Sequence, residues 1–145
     1  MIYTAMTKLA MKIAYDAHNG QLDKCGVPYI YHPIHLAEQM KDEISVCAAL
    51  LHDVVEDTDI TFEYMAEQGI SDAVIESLRF LTHNNSVPYM DYLQGIKSSG
   101  NQTAIAVKLA DLYHNSDITR LDSIDDEMIA RINKYRAAIN ILEEH

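Results

Sequence analysis

The stretch Ala48-Ala49-Leu50-Leu51-His52-Asp53-Val54-Val55-Glu56-Asp57-Thr58-Asp59 sets an imidazole beside a carboxylate, and two more carboxylates follow within one helical turn. On a helix, Glu56 lies at i+4 from His52 and i+3 from Asp53, and Asp57 at i+4 from Asp53, so all four line one edge. Such a group suits a divalent metal ion and a water. The plainer alternative is a solvated helix end at Glu56 and Asp57, with His52 a hydrogen-bonded core histidine. His32, next to Pro33, and Asp111, late in the chain, enlarge the set. Two imidazoles and two carboxylates suit manganese, iron and other first-row divalent ions, with positions left open for water and a substrate oxygen. A structural zinc site would draw on cysteines or be closed. Glu56 and Asp57 stand one turn away, where an acid orients and deprotonates a bound water. Asn115, at i+4 from Asp111, points the same way.

The elements that must position these residues read as helices. Ala5, Leu9, Ile13 and Ala17 recur at helical spacing from Thr4 to His18, and Asn19-Gly20 ends that helix. Gln21 to Tyr31 is a loop punctuated by Gly26 and Pro28. Pro33 suits the first position of a second helix, to about Met40, with His32 at its cap. A third begins near Asp42 to Ser45 and carries the central stretch. Thr61 caps a short helix ending at Gly69, and Ser71 caps the next, in which Val74, Ile75, Leu78, Phe80 and Leu81 face inward. Pro88 begins a helix to about Ser98, and a strongly apolar one with Ile105, Val107, Leu109 and Leu112 reaches Asp111, His114 and Asn115. Ser123 opens a last amphipathic helix over 123–145. No strand alternation is convincing, and repeats, low-complexity tracts and linkers are not seen. The expected fold is all-α: one domain over 1–145, a bundle of about seven or eight helices joined by short loops.

Composition sets the bounds. A chain of 145 residues, 48 % hydrophobic and 23 % charged, is ordinary for a soluble globular protein and long enough to bury a core without staples. A net charge of −11 argues against a broad DNA or RNA surface, because phosphate backbones need Lys and Arg to displace counterions. A phosphorylated small molecule fits if local cations or a metal offset the field. Cys25 and Cys47 form no CxxC and read as reduced thiols in a cytoplasmic protein. No segment approaches the ~20 apolar residues of a membrane helix, and no signal peptide is recognisable. Oligomeric state is not readable from these features.

In order along the chain stand His18-x-Gly20-Gln21, Gly26-x-Pro28-Tyr29-Ile30-x-His32-Pro33, Ala49-Leu50-Leu51-His52-Asp53-Val54-Val55-Glu56-Asp57-Thr58 and Lys108-Leu109-Ala110-Asp111-x-x-His114-Asn115. This series resembles the hydrolase domain of RelA/SpoT homologues, and most nearly the small alarmone hydrolases within the HD-domain metal-dependent phosphohydrolases. The resemblance covers roughly residues 5 to 120. It implies that His32, His52, Asp53 and Asp111 hold one divalent metal ion, usually Mn²⁺, and that Glu56 and Asp57 position and activate the attacking water. It also implies that Asn115 contacts the water or ribose, and that Tyr29 and the Lys24 loop lie along a phosphorylated nucleotide. The reaction it implies is removal of pyrophosphate from the 3′ position of ppGpp or pppGpp. Other members act on 3′- or 2′-phosphorylated nucleotides, including NADPH.

Three positions depart from the pattern. Leu22-Asp23 precedes Lys24 where the family has Arg after its Gln, Leu112 follows Asp111 where Arg or Lys is common, and Asp117 stands at a further Arg position. The metal-and-water machinery is complete while the cationic cradle is thinner. The departures motivate two rivals to ppGpp hydrolysis: hydrolysis of another phosphonucleotide, or a module that senses a nucleotide without turnover. Lys108, Arg79 and Arg120 are the cations to follow as phosphate partners. His114 reads as a packing or supporting histidine, and His83 as a helix end.

Overall fold

The computed structural model describes residues 1–144. Among these described residues, nine α-helical segments follow one another: α1 (Ala5–Ala17), α2 (Tyr31–Glu38), α3 (Glu43–Leu51), α4 (Val54–Asp57), α5 (Phe62–Gln68), α6 (Asp72–Leu81), α7 (Tyr89–Ser99), α8 (Gln102–Asn115) and α9 (Asp126–Glu143). A 3₁₀ turn, Ile118–Arg120, lies between α8 and α9. Among the described residues there is no strand beyond the isolated bridge Leu22–Pro28, so the chain is all-α as its periodicities indicate. None of these helices is long and apolar enough to cross a membrane.

The hydrophobic centre is α3. Every residue from Ser45 to Leu51 is buried, and Val46, Cys47, Ala48 and Ala49 have no exposed surface. The small side chains at 47–49 let neighbouring backbones approach closely, and α1, α2, α6 and α8 pack around the helix. Leu50 and Leu51, about 1 % exposed, each contribute roughly 1.5–3 kcal/mol of burial. Asp42 starts α3 by accepting the Ser45 backbone N–H at 2.8 Å.

The central helix is the first departure from the expected elements. It breaks at His52–Asp53 into α3 and the single turn α4. His52 Nδ1 donates to the carbonyl of Ala49 at 2.7 Å. An unbroken helix would give that carbonyl to the N–H of Asp53. Asp53 instead adopts φ −107°, ψ 0°, in the bridge region. The imidazole thus replaces a backbone donor and turns the chain.

Other boundaries shift for local reasons. α2 begins at Tyr31, so His32 and Pro33 lie inside its first turn; the first N–H groups of a helix have no partner within it, and proline is tolerated there. The last helix starts at Asp126 rather than at 123, because Asp125 caps it by accepting the Met128 N–H at 2.8 Å. Phe80 lies off the buried stripe of α6 and is exposed.

Two outcomes check these assignments. Asp42→Ala should lower unfolding free energy by about 1 kcal/mol in urea titrations. The Ser45 N–H and hydroxyl hold the Asp42 carboxyl below its usual range, so this contribution is present at neutral pH and fades as pH falls through the depressed pKa. Burial pushes the Cys47 thiol up to about 12, so a thiol reagent at pH 8 should titrate Cys25 in the native protein and Cys47 only on unfolding.

Candidate functional site

Three elements converge on one point. His32 comes from the first turn of α2, His52 and Asp53 from the break between α3 and α4, and Asp111 from α8. Each offers one ligand atom, and these atoms lie within 4.8 Å of one another. His32, His52 and Asp111 are buried.

The hydrogen bonds say what the cluster lacks. Because Nδ1 of His52 donates to Ala49, Nε2 is the nitrogen turned to the cluster. Burial disfavours charge on the ring, but the Asp53 and Asp111 carboxylates outweigh it and raise the ring's pKa well above the usual histidine range, so this position calls for a positive charge. That nitrogen lies 2.9 Å from Asp53 Oδ2 and 3.6 Å from Asp111 Oδ1, yet it is buried without a hydrogen-bond partner. A lone pair facing two carboxylates is repelled unless a cation stands between them. The residues present fit a divalent ion: two imidazoles and two carboxylates converging on one volume. Burial pushes the Asp111 carboxyl up, but the Lys108 ammonium beside it is the largest influence that holds it well below the usual range.

His32 is oriented from behind. Its Nε2 lies 2.9 Å from Asp111 Oδ1, and its Nδ1 is 2.7 Å from Nδ1 of His114, whose ring stacks on it at 5.0 Å. Burial and the Arg120 guanidinium push His114 down to about 4, so its ring is neutral at pH 7 and its Nδ1 accepts a hydrogen bond from Nδ1–H of His32. This leaves Nε2 of His32 free to face the cluster. Asn115 donates to Asp111 Oδ1 at 2.9 Å, so its amide holds the carboxylate as well as facing the cleft.

Glu56 and Asp57 flank the cluster on different sides. Glu56 accepts the backbone N–H of His83, just past α6, and burial raises its carboxyl above the usual range. The His83 ring is itself fixed, hydrogen-bonding to the Val87 carbonyl at 2.7 Å and stacking on Tyr92 at 4.6 Å. Burial and Asp53 raise the Asp57 carboxyl, against the pull of His18 and Gln21 beside it.

A cleft of about 360 Å³ adjoins the cluster at His32, lined also by the 21–25 loop, Asn115 and one face of α9. The loop is pinched by Asp23 N–H to Val27 carbonyl and Tyr29 N–H to Gln21 carbonyl bonds, both 2.8 Å. Gly26 at φ +82° makes that turn possible. Tyr29 lines the cleft and its hydroxyl donates to Asp53 Oδ2, while Lys24 stands at the loop tip.

The departures from the family pattern acquire concrete roles. Leu112 is fully buried in the core. Asp117 caps the 3₁₀ turn through the Thr119 N–H at 3.0 Å. Asp23 ties down its own loop and pairs with Arg120 at 3.4 Å. Cations instead enter the cleft from Lys24, Arg120 and Arg131, with Tyr135 on the same wall. Arg131 and Tyr135 were not expected at the site, because an amphipathic stripe does not say what its polar face meets; their i,i+4 spacing was the available signal.

Comparison with known proteins bears on the same region. No family model matches the chain. It is 34 % identical over 119 residues to the bifunctional (p)ppGpp synthase/hydrolase SpoT of Escherichia coli K12, covering 73 % of this chain and 17 % of that protein. It is 35 % identical over 134 residues to guanosine-3′,5′-bis(diphosphate) 3′-pyrophosphohydrolase of Haemophilus influenzae, covering 84 % of this chain and 20 % of that protein. The chain therefore spans a fifth or less of the length of these relatives. A solved structure of a metazoan SpoT orthologue described as hydrolysing ppGpp superposes with a TM-score of 0.77 at 24 % identity, over 99 % of this chain and 89 % of that one. That likeness establishes a shared fold.

Thermal unfolding with and without Mn²⁺ checks the cluster. At a concentration 100 times the dissociation constant, the ion should stabilise the native protein by about 2.7 kcal/mol. His52→Ala and Asp53→Ala should remove that stabilisation.

Proposed function

We propose, from the premise that this chain belongs to the RelA/SpoT homologue family of HD-domain proteins, that it is a metal-dependent ppGpp 3′-pyrophosphohydrolase. The observation that carries the reading is the unpartnered Nε2 of His52 facing Asp53 and Asp111, with Glu56 and Asp57 flanking the same cluster. In the reading, residues 1–145 act as one domain in the cytoplasm, and one Mn²⁺ is held by His32, His52, Asp53 and Asp111. When bound, the ion supplies Lewis acidity that eases deprotonation of water and offsets charge on phosphate oxygens.

The protein's own groups do the rest. Glu56 takes a proton from the attacking water as its oxygen bonds to the 3′-linked phosphorus. The bond from phosphorus to the 3′ oxygen breaks, pyrophosphate leaves and the 3′ oxygen takes up a proton. Asp57 orients the water from the opposite flank. Burial of Glu56 favours this role, because a carboxylate with a raised pKa is a stronger base. Tyr29 and Asn115 hold the metal-side carboxylates and border the nucleotide, and Lys24, with Arg120 and Arg131, faces its charged groups.

The Asp23–Arg120 pair favours a second reading for the substrate alone. It withdraws part of one cation from the cleft, which suits a phosphonucleotide carrying less charge, such as NADPH or a 3′-phosphonucleotide.

Turnover with Mn²⁺ decides between them. Pyrophosphate should be released from ppGpp, and Glu56→Gln should keep metal-dependent stabilisation while losing about 10²–10⁴-fold in kcat. The acid limb of the rate profile should lie above that of an ordinary glutamate, because Glu56 must be ionised to act and burial raises its pKa. Release of phosphate from the other nucleotides alone would keep the mechanism and change the substrate. Tight binding without any product would identify a sensor and refute the enzymatic reading.

A further inference from the structure

Lys108 stands one turn before Asp111 on α8, and its Nζ lies 2.9 Å from Asp111 Oδ2. The Asp111 side chain is buried, 8 % exposed, and that of Lys108 is largely covered, 14 % exposed. The ammonium sits 5.3 Å from the centre of the Tyr92 ring, and that ring is locked by its hydroxyl, which donates to the Leu81 carbonyl at 2.7 Å. Lysine is an expensive residue to bury: it gives up rotamer freedom and hydration. A methionine would fill similar space without the desolvation penalty. The ammonium therefore calls for a role that an apolar side chain would not fill.

The two oxygens of Asp111 have different surroundings. Oδ1 faces inward, 2.9 Å from His32 Nε2, 3.6 Å from His52 Nε2 and 2.9 Å from Asn115 Nδ2. Oδ2 faces away, into the charge-assisted bond with Lys108. A carboxylate that chelates an ion must present both oxygens to it. One whose second oxygen is tied to an ammonium presents one.

We propose that Lys108 is a positioning residue that keeps Asp111 a one-oxygen donor, so that the place its second oxygen would occupy stays available to water or to a phosphate oxygen of the substrate. This rests on the metal site proposed above and adds a residue to its design. Asn115 and Lys108 fix the carboxylate plane from opposite ends, one oxygen each.

The test uses the full chain as Lys108→Met, Lys108→Gln and Lys108→Arg, each verified as folded by circular dichroism. Cobalt(II) serves as the probe, because its visible absorption weakens as coordination rises towards six. Lys108→Met and Lys108→Gln should give a weaker cobalt spectrum than the parent. With Mn²⁺ they should lose about 10–100-fold in kcat with KM for ppGpp nearly unchanged. Lys108→Arg should keep the parent spectrum and most of the turnover. An unchanged spectrum in the Met and Gln variants would overturn the proposal. So would a loss carried by KM, which would place Lys108 on the substrate instead. If the parent chain takes up no cobalt or manganese, it is the metal site itself that fails, a result separate from either outcome for Lys108.

Discussion

One hydrogen bond organises the centre of this molecule: the imidazole of His52 donating to the carbonyl of Ala49. It ends the most buried helix in the chain, turns the backbone through Asp53 and fixes which nitrogen of the ring is left bare. Without it, α3 would run on and Asp53 would leave the bridge conformation that carries it into the cluster. The same contact thus decides backbone path, tautomer and the direction of the lone pair. Residues 45–51 are buried so completely that the bond is shielded from competing water, which strengthens it.

Around that point the site is a problem of compensated charge. Asp53 and Asp111 would repel each other and the His52 lone pair, and the protein answers with Tyr29 on one carboxylate and Lys108 and Asn115 on the other. His114 does similar work for His32 while remaining neutral, since burial and the Arg120 guanidinium disfavour its charged form. Arg120 in turn donates to the His114 carbonyl at 2.6 Å and pairs with Asp23. One side chain therefore joins the end of α8 to the loop that carries Lys24 and Tyr29. The acidic balance of the whole chain, −11, makes these local cations the more consequential.

Much of this was legible in the residues. Helical spacing of Ala5, Leu9 and Ile13, the Asn19-Gly20 stop and the Thr61 cap correspond to real helices, because local periodicity and capping chemistry decide them. The grouping of His32, His52, Asp53 and Asp111 could be anticipated from motif order, and the structure brings the four together. The break in the central helix could not, since nothing in i,i+4 spacing warns that a side chain will outcompete a backbone donor. Nor could Arg131 and Tyr135, which reach the cleft through the tertiary placement of α9. The division of Glu56 from Asp57 between two flanks was equally hidden. Adjacent residues on one short turn point some 100° apart, and only their partners, His83 for one and His18 with Gln21 for the other, reveal which way each faces.

The helix α9 buries only Ile132, Ala138, Ile139 and Leu142 along its 18 residues, whereas α3 buries seven of nine. Segments with few buried apolar contacts open at lower free energy than the core they lean on. The two halves of the cleft therefore differ in stiffness. The wall that carries His32 comes from α2, which packs on the fully buried α3, whereas the wall that carries Arg131 and Tyr135 comes from the more thinly buried α9. Whatever enters the cleft would meet one compliant side and one unyielding one.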